Sequence, residues 1–179
     1  SLHTGLPRRA AQSKELTAQF PRKPGMTSTF TTPREIITGN GSFSVLGEKA
    51  ALLGRRALLV TGRQAMKATG LTDRALDLLK KAGLQAWLFD GVQPEPTIQN
   101  VDDGRRLLQQ HDCDIVVALG GGSAIDAAKA IAGLAHESAP CVEFHDGRLK
   151  VTQPSLPFIA IATTAGTGAE ATRNAVISS

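Results

Sequence analysis

The 179-residue sequence holds only two cysteines, Cys113 and Cys141. They are too few for a disulfide scaffold and lack the spacing of a metal-ligand set, which favours a reducing, intracellular setting, with the cytoplasm as the expected compartment. Cys113, just ahead of an apolar run, reads as inert packing. No apolar stretch approaches the eighteen or so residues needed to cross a bilayer, so no membrane partner is expected. Histidine is scarce too: His3, His111, His136 and His145 are the full set, and none stands in HxxxH spacing. No metal ligand is therefore assigned in this chain. His111 falls at an expected helix C-terminus, where the dipole accounts for it, and His136 and His145 read as surface loop residues.

Net charge is missing as well once it is located. The formal value is +4, but residues 1–25 contain Arg8, Arg9, Lys14, Arg22 and Lys23 against the single acid Glu15. The remaining 154 residues then carry 15 basic and 15 acidic side chains. The high isoelectric point is thus no argument for a nucleic-acid partner. Residues 1–25 have three prolines and no sustained periodicity. They are expected to be a disordered tail, either a basic leader or the remnant of a tag, with a natural start near Met26. Residues 26–179 are expected to form one α/β domain.

What is present is a regular alternation. Arg34–Thr38 and Ser42–Val45 flank Asn40-Gly41, a pair suited to a tight hairpin turn. Val45–Leu53 reads as a short helix stopping near Gly54. Strands follow at Ala57–Thr61, Leu84–Phe89, Ile115–Leu119 and Pro157–Ala162. Between the first three lie helices at Thr72–Ala82, with Thr72 as N-cap and Gly83 as the stop, and at Thr97–Gln110, opened by the Pro94-Glu95-Pro96 turn. Asp146-Gly147 marks a turn before the last strand. Strands and helices alternating in this way predict a Rossmann-like parallel sheet with right-handed crossovers.

The segment Ile115–Gly133, IVVALGGGSAIDAAKAIAG, organises the rest. A continuous β-branched run suits a strand covered on both faces. Gly120, Gly121 and Gly122 let an anion approach backbone N–H groups at the positive start of the next helix. Ala124, Ala127, Ala128 and Ile131 share one face and would let that helix lie close to the sheet. Ser123 and Asp126 also fit a capping pattern that merely satisfies helix-start donors. Lys129 reads as a solvated residue or as a partner to Asp126. Ligands in parallel α/β sheets sit beyond the carboxyl ends of the strands, where the loops Gly62–Gln64, Gly120–Ser123 and Thr163–Thr167 converge. The ordinary dinucleotide fingerprint would follow the first strand, whereas here the glycine run follows the third.

Gly120-Gly121-Gly122-Ser123-Ala124-Ile125-Asp126-Ala127-Ala128-Lys129 resembles the GGGSxxDxxK signature of the iron-containing (group III) alcohol dehydrogenases. Thr163-Thr164-Ala165-Gly166-Thr167-Gly168-Ala169-Glu170 is similar to that family's second segment, in order and at the expected distance. The resemblance runs from Phe30 to the last residue and covers the first half of a family member. It implies a dehydroquinate synthase-like fold and a cofactor half that works in hydride transfer between NAD(P) and a small alcohol or aldehyde. Maleylacetate reductase, glycerol dehydrogenase and a non-catalytic nucleotide-binding module stand as alternatives. By resemblance, Gly121, Gly122 and Ser123 would hold the pyrophosphate, Asp126 would lie on the nicotinamide side, and Thr163, Thr164 and Thr167 would line the cofactor. A Gly/Thr-rich turn ending a strand would look the same.

Gly62 stands where NAD-preferring members carry an aspartate, so its missing carboxylate, with Arg63 beside it, leans the expectation to NADP. The other reading of Gly62 is a tight turn. Glu95 replaces a common asparagine. The family's Fe²⁺ would be held by an aspartate and three histidines of a helical second domain, which this chain is expected to lack. A homodimer through the Ile36 and Phe43 hairpin is also expected.

Overall fold

The computed structural model describes residues 35–63, 68–164, 168–172 and 175–178. The tail expected over residues 1–25, and Gln64 and Thr167 of the expected site loops, lie outside the described residues. Four strands form the sheet: β1 (Arg56–Gly62), β2 (Gln85–Val92), β3 (Ile115–Gly120) and β4 (Phe158–Ala162). All three pairings are parallel and the order is β2-β1-β3-β4. The helices are α1 (Leu46–Ala51), α2 (Leu71–Lys81), α3 (Ile98–Gln110), α4 (Gly122–Gly133) and the short α5 (Cys141–His145). Among the described residues no helix is long and apolar enough to cross a membrane.

β1 and β3 read as unbroken apolar runs because each is covered twice. Leu58, Val60, Val116 and Ala118 pack with α3 and α4, through Val101, Leu108, Ile125 and Ile131. The alternate residues Ala57, Leu59, Ile115, Val117 and Leu119 pack with Leu46, Ala50, Ala75 and Leu79 of α1 and α2. Side chains point to opposite faces with period two, so each strand feeds both layers. The predicted apolar face of α4 is the one that is buried: Ala124, Ala127, Ala128 and Ile131.

Glycine sets two helix contacts. A Cβ on Gly47 would lie 2.4 Å from the Leu78 carbonyl oxygen and 2.9 Å from the Ala82 Cβ, so α1 sits against α2 only without a side chain there. On α3, a Cβ at Gly104 would meet the Ile131 side chain, so that glycine leaves the room which Ile131 of α4 fills. A buried arginine then anchors the loop after α4. Arg105 donates to Asp102 Oδ1 at 3.0 Å, to the Ala139 carbonyl at 2.9 Å and to the Glu137 carbonyl, while Asp102 accepts from the Cys141 amide at 2.9 Å.

Three expectations are corrected. The hairpin does not form: residues 35–38 are not strand, and Ser42–Val45 is a 3-10 turn leading into α1. Gly39 and Gly41 take positive φ, and Ser42 and Ser44 donate their amides back to the carbonyls of Gly39 and Gly41, so the turn chemistry starts a helix. Phe43 is turned toward the core under Arg74, whose guanidinium carbon lies 5.1 Å from the ring centroid. Among the described residues, the strand edge on which the dimer expectation rested is therefore absent. Second, Gly70 at φ 71 is the N-cap of α2, and Thr72 lies inside the helix, buried, its hydroxyl without a partner among the described residues. Third, His145 is the last residue of α5 rather than a loop residue. The C-terminus of α2 is as expected: Gly83 at φ 83 and Leu84 donate to the carbonyls of Lys80 and Leu79, a Schellman closure.

These glycines differ in a measurable way. Gly47→Ala is expected to lower stability by about 1–3 kcal/mol, because the obstructing atom is backbone. Gly133→Ala, where an added Cβ meets nothing within 4 Å, is expected to raise stability by roughly 0.5 kcal/mol. Urea unfolding of the two variants checks the opposite signs.

Candidate functional site

The sheet order reverses direction between β1 and β3, so the carboxyl ends of these two strands flank the crevice in which parallel α/β proteins bind ligands. β3 ends in the glycine run, and each glycine has a separate task. Gly120 takes φ 151, a conformation closed to side-chain-bearing residues, and its carbonyl accepts the Thr163 amide at 3.0 Å. Gly121 is the N-cap of α4 in an extended conformation, where a Cβ would lie 3.2 Å from Thr164 Oγ1. Gly122 begins the helix. No side chain caps α4, so the capping reading of Ser123 and Asp126 does not hold. The first N–H groups of the helix have no intrahelical acceptor and face the positive end of its dipole.

A cleft of about 640 Å³ opens beside this turn. Its walls are Pro94, Glu95 and Pro96 from the β2–α3 turn, Gly122, Ser123 and Asp126 from α4, Ala169 and Thr172, and Val176 and Ser178 from the last described segment. The cleft thus gathers Gly122, Ser123 and Asp126 of the expected site. Gly62, Arg63, Gly121, Thr163 and Thr164 stand outside its lining, at the strand ends and the turn described above. Thr163 and Thr164 are exposed just beyond β4, and Arg63 is exposed just beyond β1. Gly62 pairs with Val92 where the β1–β2 register shifts. A Cβ there would be 3.8 Å from the Val92 carbonyl, and its φ is not positive, so neither space nor backbone demands a glycine.

Several contacts of the site join residues far apart in the chain. The Ser123 hydroxyl donates to the Pro94 carbonyl, so its single proton is committed to the β2–α3 turn. The Ser178 amide donates to the Pro96 carbonyl and the Ile98 amide to the Ser178 carbonyl, at 2.9 and 3.0 Å. Asp126 and Lys129 are paired at 3.5 Å, with side chains only 14% and 10% exposed, which rules out a solvated lysine. Lys129 Nζ also reaches Thr172 Oγ1 at 3.0 Å. Two prolines just ahead of the Thr97 N-cap were the one signal in the sequence that the β2–α3 turn is rigid; nothing local announces what it touches.

The remaining reactive groups are accounted for by packing. Burial pushes the thiols of Cys113 and Cys141 up to about 11, so both are protonated and poorly nucleophilic near neutrality. His111 stacks on Trp87 with ring centroids 4.5 Å apart. Among the described residues no group of three or more His, Cys, Asp or Glu side chains comes together to hold a metal ion.

Comparison with known proteins places this geometry. The family model for iron-containing alcohol dehydrogenase matches residues 33–179. The chain is 40% identical over 151 residues to 1,3-propanediol dehydrogenase of Klebsiella pneumoniae, covering 83% of this chain and 38% of that protein. It is 41% identical over 152 residues to NADPH-dependent butanol dehydrogenase of Clostridium saccharobutylicum, again 83% of this chain and 38% of the relative. The crystal structure of NADH-dependent butanol dehydrogenase A from Thermotoga maritima superposes with a TM-score of 0.78 at 30% identity, over 85% of this chain and 38% of that one. The chain therefore spans a little over a third of the length of these relatives.

His145 ties α5 to the last described segment, which supplies one wall of the cleft. His145 Nδ1 lies 3.0 Å from Asp146 Oδ1 and Nε2 lies 3.2 Å from the Ile177 carbonyl. Both partners are acceptors, so only the doubly protonated ring satisfies both. The hydrogen bond with Asp146 raises the His145 pKa above its usual 6.5, against a smaller opposing effect of desolvation. A raised folded-state pKa means that both hydrogen bonds are present below 6.5 and that one of the two is lost as pH rises through the higher folded value. Hydrogen-exchange protection of the Ser178 amide is expected to fall across that rise, and His145→Ala to remove the pH dependence.

Proposed function

The chain belongs to the iron-containing alcohol dehydrogenase family, and from that premise we propose that it is the cofactor-binding half of an enzyme moving hydride between NAD(P) and a small alcohol or aldehyde. The observation that carries the reading is the uncapped start of α4 at the β1/β3 switch point, where Gly120 and Gly121 bring bare amides beside Thr163 and Thr164. A pyrophosphate fits this turn because its charge answers the N–H groups of a helix N-terminus that no side chain caps among the described residues, and a side chain at Gly121 would crowd Thr164.

When bound, the dinucleotide supplies the hydride acceptor or donor. The residues of this chain bind and orient it. Amides of Gly121 and Gly122 hold the pyrophosphate; the Ser123 hydroxyl adds its hydrogen bond only by giving up the Pro94 carbonyl. Thr163, Thr164 and Thr167 line the cofactor, and Asp126 stands on the nicotinamide side of the cleft. We assign the Fe²⁺ site to the part of the parent enzyme beyond this chain's span of its relatives, and with it the activation of the alcohol. This chain alone is then expected to bind cofactor without turnover.

NADP is the preferred cofactor in this reading. Gly62 leaves room at the end of β1 that packing does not explain, and Arg63 adjoins it with no partner among the described residues. The similar butanol dehydrogenases named above divide between NADPH and NADH. We also place the protein in the cytoplasm, in keeping with two buried free thiols. Exposed Ile36, Ile37, Leu52 and Leu53 are the surface we assign to a homodimer contact, which sedimentation velocity would report as a dimer lost on Leu52→Glu.

Fluorescence titration of the chain with NADPH and NADH tests the assignment. Both are expected to bind, NADPH more tightly, and Gly62→Asp is expected to weaken NADPH about tenfold while sparing NADH. Failure of both to bind removes the proposal. Turnover of an alcohol by this chain with added Fe²⁺ would refute the placing of the metal site.

A further inference from the structure

We infer that Lys129 is a positioning residue for cofactor binding: it neutralises Asp126, and so keeps the first turn of α4 able to accept a phosphate. The inference rests on the dinucleotide reading of the cleft. Ser123 and Asp126 lie one turn apart on α4 and both line the cleft, whereas Lys129, one turn further on, is not part of the lining. The charged residues among the described lining are Glu95 and Asp126, both acidic. Asp126 stands just past the first turn of α4, which itself holds no acid, and its carboxylate places negative charge on the cleft wall beside the helix start. Left alone, Asp126 would subtract from the potential that the bare amides offer an anion.

Lys129 prevents this at close range. Its Nζ lies 3.5 Å from Asp126 Oδ1 and 3.0 Å from Thr172 Oγ1, with both charged side chains largely out of water. The Thr172 hydroxyl in turn lies 3.4 Å from the Ala169 carbonyl. Lysine therefore sits between the acidic wall and the segment that closes the cleft, and screening by solvent is weak there. Its ammonium acts on the cofactor through Asp126 and not by touching it.

A double-mutant cycle on the full chain tests this, with NADPH affinity as the readout and far-UV circular dichroism as the check on folding. Lys129→Met is expected to weaken NADPH binding about five- to tenfold at low salt, and by less at about 0.5 M salt, because the lost effect is electrostatic. Adding Asp126→Asn to that variant is expected to restore affinity to within about twofold of Asp126→Asn alone, since no charge then remains to neutralise. Wild-type affinity in Lys129→Met, or a double variant as weak as Lys129→Met, overturns the inference and leaves the lysine a structural tie. If Lys129→Met does not fold, the comparison of Asp126→Asn with the double variant decides, and a further loss in the double variant overturns it. A wild-type chain that binds no NADPH defeats the dinucleotide reading instead.

Discussion

The hydrogen bond from the Thr163 amide to the Gly120 carbonyl joins the ends of β3 and β4 at the point where α4 begins. It exists because Gly120 can turn its carbonyl toward β4 at φ 151 while the chain still enters a helix. What the site offers follows from that turn: the start of α4 is drawn in beside the sheet, Gly121 lies against Thr164, and no side chain among the described residues caps the helix. A side chain at either glycine would move the helix or the threonine loop, and the two halves of the site would part.

Around the turn, several of the charges are held in pairs. Asp126 is answered by Lys129, Asp102 by Arg105, and Asp146 by His145 and Arg148. Two of these pairs lie against segments that close the cleft. Lys129 reaches Thr172, and the His145 ring reaches the Ile177 carbonyl. The cleft walls beyond the sheet are thus held by polar contacts between short segments, while the sheet itself is held by apolar burial on both faces.

The elements that sequence reading recovered were those with a local cause. β1 and β3 are continuous β-branched runs; the Thr97 hydroxyl accepts the Asn100 amide three residues on; Gly83 closes α2 within one turn. The hairpin at Asn40-Gly41 failed because the same dipeptide serves a helix start when the next apolar residue, Phe43, has a core to enter. Thr72 failed as a cap because Gly70 reached the helix entry first, with a backbone angle threonine does not adopt. Within the site, the glycine turn was legible because an anion site needs side-chain-free backbone at a helix start, and Asp126 because it completes the family signature. The ties from Ser123 to Pro94, Lys129 to Thr172 and Ser178 to Pro96 were not, since each joins segments that share no period or motif.

Sequence alone determined the alternation of strand and helix, the family signature at Gly120–Lys129 and the neutrality of the chain beyond its first 25 residues, because each is written in neighbouring residues. Tertiary structure decided the rest: that Ser123 spends its proton on Pro94, that Lys129 is buried against Asp126 rather than solvated, and that the last described segment forms a wall of the cleft. The physical reason is one of distance. Periodicity and turn chemistry act over a few residues, whereas the charge and hydrogen-bond state of a side chain depends on what the folded sheet brings to it from elsewhere in the chain.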